Sequence, residues 1–182
     1  YDFQDIFLSS ELGRPEDSEA RSPTDLTDPR LEIVVRNATR DDLNTLVKYN
    51  AAMAKETEGK TMDLELLSKG VSAVLDRDNL GFYLMAEVDC RPVGQLMITT
   101  EWSDWRNGYF WWIQSVYVDA EYRRQGVYRA LDSHVHSEAR RRGDVCGIRL
   151  YVERNNHVAQ QVYSSLDMHR SHYDLFEIDF VF

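Results

Sequence analysis

The stretch Ser115-Val-Tyr-Val-Asp-Ala-Glu-Tyr-Arg-Arg-Gln-Gly-Val-Tyr-Arg-Ala-Leu131 concentrates residues able to hold an anion. A β-rich run ends at Val118, basic residues and one glycine follow, and a helix is expected from about Gln125. Such a strand–loop–helix junction aims free backbone N–H groups and the positive end of the helix dipole at one spot. Gly126 removes a Cβ where phosphate oxygens must approach backbone closely. Arg123, Arg124 and Arg129 add local positive charge in a chain of net charge −10, which points to a bound polyphosphate. A helix start with solvated arginines and a routine glycine accounts for the same residues.

Two carboxylates are candidates for taking a proton from a substrate. Glu101, at the end of an expected strand, is the first, as base or as anchor of a water relay; Glu153 is the second. An exposed carboxylate is a poor base at neutral pH unless its surroundings raise its pKa, and a surface ion pair is the plain alternative for both. Glu101 also opens Glu101-Trp-Ser-Asp-Trp-Arg-Asn-Gly-Tyr-Phe-Trp-Trp112, a segment dense in aromatic rings. Trp102 and Trp105 are candidates to line a pocket for a cationic amine through cation–π attraction. Trp111 with Ile113, and Trp112 with Gln114, are expected to pack the two sides of a buried strand. Cys90 and Cys146 stand in no base-adjacent or CxxC spacing and are expected as reduced, partly buried thiols. His134, His136, His157, His169 and His172 form no compact ligand pattern, and no metal is expected. No Ser/His/Asp order suggests a triad.

The elements that must position these groups follow from periodicity. Strands are expected at 31–36, 82–88, 92–100, 109–118, 148–153 and 175–182, and helices at about 40–55, 63–76, 125–142 and 157–165. Thr39 is the expected N-cap of the first helix, with Asp41 and Asp42 in its positive first turn. Asp89-Cys90-Arg91 and the Asn107-Gly108 turn mark hairpins. The order β-α-α-β-β-β-α-β-α-β implies an α/β domain with a mixed sheet.

The 182 residues suit one domain, 30–182, preceded by an acidic, flexible extension over 1–29. Within that extension Phe3, Ile6, Phe7 and Leu8 form a short apolar cluster. No apolar run is long enough to cross a bilayer and no signal-peptide pattern opens the chain, so a cytoplasmic protein without membrane attachment is expected. Because residue 1 is Tyr, the native start is expected to be missing. The 31 acidic against 21 basic side chains argue against a nucleic-acid partner. They favour a cationic substrate or serve solubility.

Arg123-Arg-Gln-Gly-Val-Tyr128, following Val116-Tyr-Val118, resembles the coenzyme A loop of the GNAT acetyltransferases, Arg/Gln-x-x-Gly-x-Gly/Ala. It departs at Tyr128, where the family has a small residue. Leu150-Tyr-Val-Glu-Arg-Asn-Asn156 with Ala159, Tyr163, Leu166 and Met168 resembles the family's second segment, with Asp167 in place of a glycine. The resemblance spans 31–182 and is sharp over 115–168. It implies a GNAT fold, with a mixed, mostly antiparallel central sheet whose central strands splay apart, flanked by helices. Acetyl-CoA would lie in the opening as cosubstrate. Val116, Tyr117 and Val118 would hold the pantetheine by backbone, and the N–H groups of Arg123, Arg124, Gln125, Gly126, Val127, Tyr128 and Arg129 the pyrophosphate. Asn155 would assist near the cofactor. Tyr163, otherwise a core aromatic, would be the general acid toward the thiolate. The implied activity is direct acetyl transfer to a small-molecule or peptide primary amine in a ternary complex, and homodimers are common in the family. The rival readings are a non-catalytic acyl-CoA sensor and a protein-interaction module using the acidic N-terminus and the Trp-rich turn.

Overall fold

The computed structural model describes residues 31–178 and residue 180. The extension expected over 1–29 therefore lies outside the described residues. Strand β1 spans Ile33–Asn37. Thr39, whose N–H donates to Asp42 Oδ2 at 2.7 Å, opens a 3-10 turn over Arg40–Asp42. Helix α1 follows over Leu43–Glu58, and α2 spans Leu64–Asp76, its N-cap Asp63 accepting from the N–H groups of Glu65 and Leu66. Strands β2 (Phe82–Val88), β3 (Arg91–Ser103) and β4 (Gly108–Val118) form a meander. The β2–β3 turn places Asp89 and Cys90 at φ 50° and 59°, the paired positive values that suit the twist of a two-residue hairpin. Helix α3 covers Val127–Arg142, strand β5 Val145–Leu150 and helix α4 His157–Ser165.

The sheet order is β1-β2-β3-β4-β5. The first three pairings are antiparallel and the β4–β5 pairing is parallel, as a strand–helix–strand crossover through α3 allows. Each face carries its own core. Leu84, Leu96, Ile98, Trp111, Ile113 and Val118 meet Val127, Leu131 and Val135 of α3 and Ala159 of α4 on one side. On the other, Tyr83, Met85 and Tyr117 meet Leu46 and Tyr49 of α1 and Val71 of α2. A bulge shifts the alternation along β4 by one residue: Met97 faces Ser115 and Ile98 faces Ile113, so Gln114 has no opposite residue, and the α3-side positions change from Trp111 and Ile113 to Val116 and Val118.

Several expectations require correction. β5 begins at Val145 and ends at Leu150, three residues earlier than expected, because its ladder partners Tyr109–Ile113 lie there. The strand expected at 175–182 is not formed over 175–178, where no neighbouring strand supplies a ladder; Leu175, Phe176 and Ile178 are exposed. The rest of that segment lies largely outside the described residues. Both cysteines are free but exposed rather than partly buried, since Cys90 sits in a hairpin turn. Trp111 is fully buried as expected, whereas Trp112 is only half-buried, its indole N–H donating to the exposed Glu101. Asp167, standing in place of the glycine of the resembled family segment, takes φ +61° and lets the Met168 N–H bond Tyr163 O at 3.1 Å, closing α4 in the manner of a left-handed cap.

Candidate active site

The site begins where β4 and β5 part. Their pairing ends at Ile113 opposite Leu150, while β4 continues to Val118 with only β3 beside it. Past Ile113 the β5-facing edge of β4 therefore presents backbone groups with no strand partner among the described residues. An extended chain bearing amides can complete such an edge.

At the end of that edge the backbone turns into α3. Arg124 and Gly126 both adopt left-handed conformations, φ +65° and +89°. Left-handed residues alternating with others turn successive N–H groups into an anion-binding concavity. Gly126 is the N-cap of α3 without a side-chain cap bond, and the first turn carries no acidic residue. A Cβ on Gly126 would meet only Ile33 Cδ1, at 4.0 Å, so the concavity is open at that point. Gly94 serves the same junction from below: a Cβ there would come within 3.0 Å of Tyr117 O and Val127 Cγ1, so its absence lets the start of α3 settle onto β3 and β4.

The loop arginines divide. Arg123 donates from Nε to Val118 O at 3.0 Å and from Nη2 to Glu56 Oε2 at 2.6 Å, and its guanidinium lies 5.7 Å from the Tyr117 ring. Tyr117 Oη also reaches Glu56 Oε1, at 3.4 Å. Arg123 thus ties the loop to β4 and α1 and is not a free phosphate ligand. Gln125 braces the turn through Nε2 to Glu121 O at 2.7 Å. Arg124 and Arg129 are exposed. Val116 and Tyr128 turn into the α3-side core, so the bulk of Tyr128 does not fill the concavity.

Tyr163 of α4 packs against that same core. Burial, and then the nearby Asp132, push its phenol well above the usual tyrosine range. Tyr128 is pushed the same way by burial, with Tyr163 and Asp132 adding to it. Asp132 is only 4% exposed, and burial raises its carboxyl pKa while His136 opposes the rise. His136 Nε2 stands 3.8 Å from Asp132 Oδ1. Sequence reasoning missed Asp132; the legible signal was an acid on the apolar face of α3, one turn from Tyr128 and one from His136.

The carboxylates are engaged. Glu101 lies within β3, where Oε2 accepts from Trp112 Nε1 at 2.5 Å and both oxygens accept from Arg149 Nη1, at 3.0 and 3.2 Å. Glu153 accepts from the Asn155 N–H at 2.7 Å and from Asn155 Nδ2 at 3.0 Å, so these two predicted residues hold each other in the β5–α4 loop. Asn156, not Asn155, caps α4 through Ala159 N at 2.9 Å. Trp102 pairs across the hairpin with Tyr109 and stacks edge-on against it, four residues short of the parting point, or roughly 13 Å along a strand. Trp105 is 88% exposed in the hairpin turn beyond it. Neither is brought to the opening. Trp112 and Tyr151 are, with rings stacked at 4.5 Å, and sequence reasoning had assigned no site role to either. Among the described residues no group of three His, Cys, Asp or Glu side chains could hold a metal ion, and no helix is long and apolar enough to cross a membrane.

Comparison with known proteins agrees with this geometry. The model of the acetyltransferase (GNAT) family matches residues 46–168. The crystal structure of a possible acetyltransferase from Clostridium difficile 630 is similar at 45% identity and a TM-score of 0.79, covering 82% of this chain and 99% of that one. A ribosomal-protein-alanine N-acetyltransferase from Brucella melitensis biovar Abortus 2308 shares the fold at 16% identity and a TM-score of 0.65, over 82% and 100% of the two chains. So does the aminoglycoside N-acetyltransferase AAC(6')-Iy in complex with CoA, at 14% identity and a TM-score of 0.65, over 83% and 97%. No curated protein sequence matches.

Proposed function

Since the chain belongs to the GNAT acetyltransferase family and is an acyltransferase, we propose that it moves the acetyl group of acetyl-CoA directly onto a primary amine. The observation that carries this reading is the bare edge of β4 leading into the Arg124–Gly126 concavity and the uncapped start of α3. An edge that completes amide ladders, followed by an anion cradle, matches pantetheine followed by pyrophosphate. Val116, Tyr117 and Val118 hold the first by backbone, and the N–H groups of Arg123 through Arg129 the second. The exposed guanidinium groups of Arg124 and Arg129 add charge, while Arg123 keeps the loop closed.

In this reading the amine nitrogen attacks the thioester carbonyl near the apex of the opening. The C–S bond breaks, and the phenolic proton of Tyr163 passes to the departing sulfur. The amine's own proton leaves through water anchored at Glu101, whose engaged oxygens suit an anchor better than a base. Transfer within one ternary complex needs no covalent enzyme intermediate.

Calorimetry of acetyl-CoA binding tests the reading. Wild type should bind, and Gly126→Trp should not, because the indole would occupy the concavity and the residue would have to hold φ +89°. A thermal melt confirms that the variant is folded. No binding by folded wild type would overturn acetyl transfer.

A further inference from the structure

On the sheet face opposite α3 and α4, the apex of the opening is built from Glu101, Phe110, Trp112, Arg149 and Tyr151. Arg149 pairs in register with Trp112, one residue before the last pair, Ile113 with Leu150. Its guanidinium lies 3.5 Å from the Phe110 ring centroid and 5.5 Å from that of Trp112, and Trp112 is stacked on Tyr151 with 24° between the planes. Gly147 makes room for this layer, since a Cβ there would fall 2.5 Å from Phe110 Cε1.

The unused bonding capacity of this face identifies its ligand. Glu101 already accepts three hydrogen bonds, from Trp112 and Arg149, out of about four acceptor positions on a carboxylate. Its charge is matched by Arg149, and the Phe110 and Trp112 rings already carry that guanidinium. A second cation therefore finds little left to bind. Arg149, by contrast, donates only through Nη1; among the described residues Nε and Nη2 make no hydrogen bond. That edge is the planar fork that fits a carboxylate with two parallel bonds. The side chains of Arg149 and Glu101 remain 34% and 45% exposed, and an exposed ion pair contributes little to stability, so folding alone gives weak reason for the arrangement.

We infer that the acceptor is an aminocarboxylate, an amino acid or a close relative, whose carboxylate is held by Nε and Nη2 of Arg149. This rests on the acetyl-transfer reading above and names the substrate class of that site. With the carboxylate held one residue from the apex, about 3.3 Å along the strand, the amine of the same molecule reaches the point where β4 and β5 separate. The Trp112–Tyr151 stack then offers a flat apolar wall to the side chain. A net-acidic protein would thus select for an anionic group on its substrate through one cation built on aromatic rings.

The test compares leucine, methionine and phenylalanine with their α-amides, which keep the amine and side chain but lack the carboxylate. Thiol release from acetyl-CoA by the full chain should favour the acids by about tenfold or more in kcat/KM, chiefly through KM. Arg149→Met should erase the preference, and Arg149→Lys should restore part of it. Acids and amides accepted equally by wild type would overturn the inference while leaving acetyl transfer intact. A readout independent of turnover is the Trp112 indole N–H resonance, titrated in the presence of coenzyme A. A saturable shift with the acids that the amides fail to give supports the site, and no shift with any acid overturns it. Failure of the folded protein to bind acetyl-CoA at all would instead remove the reading on which the inference rests.

Discussion

Tyr163, Tyr128 and Asp132 lie together on the α3 side of the sheet, where the charge of Asp132 helps both phenols keep their protons. Burial and the charge of Asp132 keep Tyr163 a phenol beyond the ordinary value of 10, so at neutral pH it holds the proton that the proposed transfer requires. Tyr163→Phe should lower kcat by about 10²–10⁴ while acetyl-CoA affinity stays close to wild type, a split readable from thiol release beside calorimetry. Asp132 carries a stability prediction of definite sign. Its folded-state pKa is raised above the ordinary 3.8, so the native state binds the extra proton and stability falls as pH climbs from 3.8 through the folded value. Asp132→Asn has no such loss. Its melting temperature should exceed that of wild type at pH 7 and the gap should close toward pH 4, each 1 kcal/mol appearing as roughly 2–4 °C. A gap that widens on acidification would mean that Asp132 is stabilised as an anion.

At the scale of elements, the helices and the first four strands were legible because each carries its own period. Leu64, Leu67, Val71, Val74 and Leu75 mark one face of α2, and Tyr109–Val118 is apolar enough to read as a buried strand. The limits of β5 were not legible, since 145–153 is β-rich throughout and only the ladder with Tyr109–Ile113 decides where pairing stops. The bulge at Gln114 and the path of the Arg123 side chain likewise depend on residues distant in sequence. Nothing local marks Glu56, 67 positions before Arg123, as the group that fixes the loop. That clamp joins α1 to the loop between β4 and α3. Glu56→Gln keeps the size of the side chain but removes the charge that holds Arg123, whose side chain is only 13% exposed. Acetyl-CoA should then bind several-fold more weakly, mostly through faster release, because the concavity loses its brace. Stopped-flow displacement separates that outcome from a slower on-rate, which would place Arg123 among the groups that attract the phosphates instead.

For the whole molecule, the proposed cosubstrate and the protein carry charge of the same sign. The chain bears −10 overall, and residues 1–30 contribute eight acidic against three basic side chains. Near the concavity Glu56 neutralises Arg123, leaving Arg124 and Arg129 to oppose that field. The range of each influence decides which wins. At about 10 mM ionic strength the Debye length is about 30 Å, so an approaching polyphosphate feels the whole molecule; at about 0.15 M it is about 8 Å, and only the nearby arginines are felt. The association rate for acetyl-CoA should therefore rise between these two conditions, opposite to the fall expected of a net-basic phosphate-binding protein. Removing residues 1–30 should flatten the rise by withdrawing much of the repulsion, and Arg124→Gln should lower the rate most at the higher salt, where the local charge dominates. A rate that falls steadily with salt in the full chain would mean that the loop arginines outweigh the global charge at every distance.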